Sequence, residues 1–223
     1  WARNPHNNMS EIPTIAKYKE RVSEFLLLGD DGVVDLIAAA VIANRLDHDA
    51  VWLMLNAPSS SGKTELLNAL FGLPFVIPIS DLTTNTFASG YNMGGGRQAS
   101  LLLQYQNGIM VFKDFTSILS KSREVRDIIL GQMREIYEGK YDKHTGTGEK
   151  ISWKGKMGAI AAATSAVYSA IADTSEMGQR FVYYSIKQPD RKKATLKALD
   201  NANRSAEFRA LLSEEMKAYI YFV

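Results

Sequence analysis

The octapeptide Ala57-Pro58-Ser59-Ser60-Ser61-Gly62-Lys63-Thr64 follows an apolar run at 50–55 and leads into a helical run at 65–71. Buried strand, short loop, then helix restricts the chain to folds in which a sheet strand passes directly into a helix covering the sheet. The residue types in the loop restrict its ligand as well. A nucleoside triphosphate needs backbone N–H groups around its phosphate oxygens, an ammonium on the β and γ phosphates and a hydroxyl on Mg2+. Gly62, Lys63 and Thr64 supply these in the order of a phosphate-binding loop. Ala57 holds the place of that pattern's first glycine; it is small enough for the turn but reaches positive φ less readily. We therefore expect ATP with Mg2+ on Ala57, Pro58, Ser59, Ser60, Ser61, Gly62, Lys63, Thr64 and Glu65, with Thr64 on the metal. The competing account is a serine-rich surface turn that contains Gly-Lys-Thr by chance.

Elsewhere, strand patterns alternate with helical ones. Helical periodicity covers 11–28, after a polar start, and Asp30 or Asp31 can cap a second, buried helix through 33–43. Strands are expected at 75–79, where Pro78 argues for a sheet edge or strand end, and at 108–112. Between them Gly94-Gly95-Gly96 breaks any regular element. A helix at 121–138 carries Val125, Ile128, Ile129, Met133 and Ile136 at three- and four-residue spacing. Residues 139–156 alternate around Gly146-Thr147-Gly148, as a β-hairpin does. The small-residue strand 158–163 suits the middle of a sheet covered closely on both faces; 181–186 is a further strand and 191–222 is helical. The pattern is α/β, a central parallel sheet flanked by helices with its ligand at the carboxyl ends of the strands. We expect a polar N-terminal segment and helix at 1–30, a core at 31–190, and a helical tail or the start of a lid at 191–223.

The 223 residues, 46% hydrophobic and 22% charged, suffice for one large core with a small addition. A formal charge of +2 offers no global attraction for nucleic acid, so any such affinity must come from local clustering. The absence of cysteine excludes disulfides and thiolate metal sites and fits a cytoplasmic protein. The apolar stretch 33–43, interrupted by Asp35, is too short to span a bilayer, and no membrane partner is expected. His6, His48 and His144 lack metal-ligand spacing, and no nucleophile motif occurs. The chain begins at Trp1 rather than methionine, which leads us to expect a fragment or a processed form.

Hydrolysis needs a carboxylate that holds Mg2+ through water or orients the attacking water. Asp114, ending an apolar strand about fifty residues beyond Lys63, is the candidate; a strand-end aspartate capping the next turn is the alternative. The usual pattern here ends in Asp-Glu, whereas this chain reads Lys113-Asp114-Phe115. Either Asp114 is the metal-associated aspartate and the glutamate is absent, or Asp114 stands for the glutamate and Lys113 replaces the aspartate. We favour the first and expect slow or conditional hydrolysis.

The run from Met133-Arg134-Glu135-Ile136-Tyr137-Glu138-Gly139 through the hairpin to Gly158-Ala159-Ile160-Ala161-Ala162-Ala163-Thr164 resembles the segment leading to sensor 1 of AAA+ P-loop ATPases. It is similar in particular to bacterial enhancer-binding activators and minichromosome-maintenance helicases. Met177-Gly178-Gln179-Arg180-Phe181 resembles the element carrying the arginine finger in that helicase group. The Lys-Asp-Phe-Thr strand end is similar to helicase-like ATP-binding proteins of phages and mobile elements. The resemblance implies that Thr164, with Ser165 as the fallback, bonds the γ phosphate or the lytic water. It further implies that Arg180 serves a neighbouring subunit in a homo-oligomeric ring. The plain alternatives are a locally satisfied strand-end hydroxyl and a surface ion-pair arginine. Arg191, Arg204 and Arg209 are candidates for a second sensor.

In the helicase relatives a hairpin ahead of sensor 1 grips DNA. Here Lys140, Lys143, His144, Lys150, Lys154 and Lys156 fall within 17 residues, interleaved with Tyr141 and Trp153, as phosphate neutralisation with base stacking requires. The candidate DNA contacts are Lys140, Lys143, Lys150, Trp153 and Lys154, with Arg97 weaker; a solvated hairpin face is the alternative. The leading expectation is an ATP-hydrolysing motor module acting on DNA, helicase-like and of phage or mobile-element type. A nucleotide-controlled switch with slow turnover is the second, and a small-molecule P-loop kinase the third.

Overall fold

The computed structural model describes residues 12–59, 61–89, 100–144, 150–164 and 180–223. The strands there are β1 (Trp52–Asn56), β2 (Val76–Ile79), β3 (Asn107–Phe112), β4 (Lys140–His144), β5 (Lys150–Lys154), β6 (Lys156–Ala163) and β7 (Phe181–Ser185). The helices are α1 (Ile15–Phe25), α2 (Gly32–Arg45), α3 (Lys63–Asn68), α4 (Leu101–Gln104), α5 (Thr116–Leu119), α6 (Arg123–Tyr137), α7 (Arg191–Asp200) and α8 (Ser205–Phe222). A 3-10 turn at Ala202–Arg204 joins the last two. The five strands other than β4 and β5 form one parallel sheet in the order β2-β3-β6-β1-β7, and β4 pairs antiparallel with β5.

Alternation along each strand sends side chains into two separate cores. Trp52 and Met54 of β1, Met110 and Phe112 of β3, and Ala159, Ala161 and Ala163 of β6 face the layer of α6 and the hairpin. Leu53 and Leu55, Ile109 and Val111, and Ile160 and Ala162 face the layer of α1, α2, α3 and α8. A strand buried on both faces has no solvent-facing side, which is why β1 reads apolar from Trp52 to Leu55 and β6 carries no polar residue from Met157 to Ala163. β6 sits at the centre, where alanine lets both helical layers approach. Pro78 lies exposed on β2, an edge strand, as its missing N–H demands.

Two details make the sequence expectation more specific. Asp31 occupies the cap position of α2 without a side-chain bond, while the Asp30 carboxylate accepts the Gly32 N–H at 2.9 Å. The helical tail is two helices, and Phe208, Leu212, Met216 and Ile220 of α8 share a core with α1, α2 and α3. His6 and residues 91–99, including the triple glycine and Arg97, lie outside the described residues.

Candidate active site

The loop after β1 builds the site from backbone first. Gly62 adopts left-handed backbone, φ 83°, which a β-carbon disfavours, and turns the chain into α3. Ala57 stays buried and donates its N–H to Ala163 O at 3.2 Å, so the parallel ladder runs one residue past β1 before the loop departs. α3 begins without a side-chain cap, the arrangement in which an anion satisfies the first turn.

Lys63 is only 9% exposed. Its ammonium donates to Ala57 O, to Pro58 O at 2.8 Å and to Ser61 Oγ at 3.2 Å, acceptors that triphosphate oxygens would replace. Burial holds its pKa below the ordinary lysine range, and the negative charge of Asp114 acts in the opposite direction.

Register brings Asp114 and Thr164 to this loop from two neighbouring strands. Phe112 is level with Ala161, and Ala163 with Asn56, so the residues following β3, β6 and β1 emerge together at the carboxyl edge. Asp114 Oδ1 accepts the Thr116 N–H at 3.0 Å. Thr116 Oγ1 accepts the Thr164 N–H at 3.2 Å and lies 3.4 Å from Thr164 Oγ1. Thr116 was not singled out from the sequence, although it is the last residue of the Lys-Asp-Phe-Thr strand end; its role appears only when β3 and β6 lie side by side.

A cleft of about 400 Å³ unites Ser59, Ser61, Gly62, Lys63, Thr64, Asp114 and Thr164, a volume in the range of small-molecule sites. Phe25 at the end of α1 and Leu26 and Leu27 just after it wall one side, and Ala194 and Ala198 of α7 another. Thr64 and Asp114 offer one hydroxyl and one carboxylate, and the described residues contain no cluster of three or more acidic, histidine or cysteine ligands. This donor set fits Mg2+ completed by phosphate and water oxygens rather than an all-protein cage.

Several expected site residues have other partners. Glu65 lines the cleft, but its carboxylate is held by Arg209 of α8 through two bonds of 2.7 and 2.8 Å, so it serves as a strut between α3 and α8. Arg204 pairs with Glu207 and stacks on Phe208, whereas Arg191 lines a cleft shared with Pro58, Ser59 and Ser61. Ser60, Ser165 and residues 177–179 lie outside the described residues.

Arg180 immediately precedes β7, at the amino edge of the sheet, because Phe181 is level with Trp52 and Ser185 with Asn56. A five-residue strand at about 3.3 Å per residue therefore separates it from its own phosphate loop by ~16 Å. It bonds Glu138 at 2.9 Å and lies over the Tyr137 ring.

The hairpin corrects part of the polymer-contact set. Its inward face is Tyr141, Lys143, Ile151 and Trp153, and its outward face is Lys140, Asp142, His144, Lys150, Ser152 and Lys154. Trp153 is buried in the core and donates its indole N–H to Tyr105 O at 2.9 Å, which removes it as a stacking platform. Lys143 donates to Asn85 Oδ1 at 2.9 Å and Ala88 O at 2.8 Å, tying the hairpin to the loop after β2; partial burial lowers its pKa. Lys140, Lys150 and Lys154 remain exposed, with Lys150 near Asp142.

No protein-family model matches the chain, and no curated protein matches it. Among solved structures, the S. cerevisiae Hsp104:casein complex in its extended conformation is similar, with a TM-score of 0.58 over 89% of this chain at 18% identity. The two share a fold, a central parallel sheet flanked by helices, consistent with a P-loop nucleotide-binding architecture. This chain spans 40% of the length of that Hsp104 chain. In this fold the loop after β1, Asp114 and Thr164 share the carboxyl edge, and Arg180 and the hairpin root share the opposite edge. No helix among the described residues is long and apolar enough to cross a membrane.

Proposed function

We propose that this protein is an ATPase whose turnover in a homo-oligomer drives or controls action on DNA. The observation that carries the ATPase reading is the meeting of Lys63, Thr64, Asp114 and Thr164 in one cleft at the carboxyl edge of the sheet. Lys63 binds the β and γ phosphates, and Thr164, oriented by Thr116, bonds the attacking water or the γ phosphate. Mg2+ would be held by Thr64 and Asp114, where its charge would offset that of the phosphates. Arg180 is too far from its own loop to act there, which favours service to a neighbour once it leaves Glu138. The Hsp104 structure holds casein, a polypeptide; here the exposed Lys140, Lys150 and Lys154 favour a polyanion.

One observation favours the switch reading. Phe115, standing where the usual pattern has its glutamate, is 2% exposed and packs on Phe112 and Phe181, so no carboxylate reaches the water from that position. Measuring ATP turnover alone, with single- and double-stranded DNA, and with casein, alongside mass in an ATP analogue, separates these readings. DNA-stimulated turnover in a larger assembly is expected. Retained nucleotide without turnover under every condition would replace the motor with the switch, and stimulation by casein alone would replace DNA with polypeptide.

A further inference from the structure

The residue before Asp114 has the opposite charge and is used by none of the chemistry above. Ile109 and Val111 of β3 face the layer that contains α3, and the same alternation turns Lys113 toward α3. Its ammonium lies over the Phe71 ring, 5.3 Å from the centroid, at the end of the turn that follows α3. Lys113 is exposed, lines the same cleft as Lys63, Thr64 and Asp114, and has no carboxylate partner among the described residues. The other charges of the cleft are spoken for: Glu65 is neutralised by Arg209, and Asp114 caps the Thr116 N–H while facing Lys63. The cleft therefore holds two ammonium groups against a single carboxylate that no arginine or lysine bridges.

We propose that Lys113 is a second phosphate-binding cation of this cleft, exchanging its weak contact with Phe71 for an oxygen of the triphosphate. The proposal rests on the nucleotide reading and deepens it. A flexible four-carbon stem rooted beside Asp114 suits this exchange, since an ammonium is a point charge that needs no fixed fork geometry. The consequence is a site that depends less on Mg2+ than one relying on Lys63 alone, because part of the phosphate charge is met by the chain itself.

Titration calorimetry with ATP, in Mg2+ and in EDTA, tests it on the wild type, Lys113→Met and Lys113→Arg. The Met side chain keeps the stem against Phe71 and removes only the charge. We expect Lys113→Met to weaken ATP binding about tenfold, with the larger loss in EDTA, and Lys113→Arg to stay within about twofold of wild type. Unchanged affinity in Lys113→Met, or equal losses in the Met and Arg variants, overturns the assignment and leaves the nucleotide site standing. Failure of the wild type to bind ATP in either buffer overturns the nucleotide reading itself.

Discussion

In the proposed nucleotide site Lys63 would carry both the binding and a pH signature. Its pKa in the free protein lies below the 10.5 of an ordinary lysine because burial disfavours the ammonium, with Asp114 opposing. Phosphate binding favours the ammonium, so the bound pKa exceeds the free one. Affinity is therefore complete below the free-protein pKa and is lost as pH rises from that value toward the bound one, by at most about tenfold per pH unit. We expect ATP affinity, followed by fluorescence titration, to begin falling before the ordinary lysine range, and Lys63→Arg to flatten the profile. A profile that stays flat through that range, and is unchanged in Lys63→Arg, would show that the buried ammonium is not the phosphate ligand. Gly158 makes a different kind of single-residue demand. A β-carbon there would lie 2.4 to 2.6 Å from the Asn44 side chain, which donates to Ala40 O and Val51 O and accepts the Val51 N–H. Gly158→Ala should cost about 1–3 kcal/mol of stability in denaturant unfolding, since Asn44 cannot move without losing those bonds. A cost near zero would mean that the end of α2 yields freely.

The hairpin shows how an element divides its labour between two faces. Alternation over β4 and β5 buries Tyr141, Ile151 and Trp153 and leaves Lys140, Lys150 and Lys154 outside. Two variants should therefore separate cleanly. Trp153→Ala removes a packed indole and its bond to Tyr105 O, and we expect a loss of about 3–5 kcal/mol in thermal or chemical unfolding. Replacing Lys140, Lys150 and Lys154 together by Gln should leave the melting temperature near wild type while weakening DNA binding and flattening its salt dependence, measured by anisotropy. DNA binding of the triple variant equal to wild type would reassign the outward face to plain solvation. The hairpin itself was legible in the sequence, because period-two alternation around glycines is a local signal. Which lysines are free was not: Lys143 is anchored by Asn85 and Ala88, 58 and 55 positions away.

The sheet sets the proposed nucleotide site and the proposed in-trans arginine on opposite edges. The phosphate loop, Asp114 and Thr164 emerge at the carboxyl edge, and Arg180 stands at the amino edge against Glu138. Under the proposed function a subunit so built cannot supply Arg180 to its own nucleotide, which yields a complementation test. Arg180→Ala and Lys63→Ala should each be inactive alone. Mixed, they should recover part of the turnover, because an Arg180→Ala subunit with an intact loop can be served by a Lys63→Ala neighbour with an intact arginine. No recovery in a mixture shown to co-assemble would remove Arg180 from the in-trans role.

The phosphate loop, the strand and helix order, the central small-residue strand and the edge position of Pro78 all follow from signals a few residues long: periodicity, glycine and proline stereochemistry, and a loop whose ligand chemistry is written in consecutive positions. Partnerships between distant residues carry no such local mark. Glu65 meets Arg209 across 144 positions, Thr116 meets Thr164 across 48, and Trp153 finds Tyr105 across 48, each through strand register and layer packing. Register is a property of the folded sheet as a whole, so the same side chains that sequence reading offers as ligands become struts, anchors or exposed cations only once the strands are side by side.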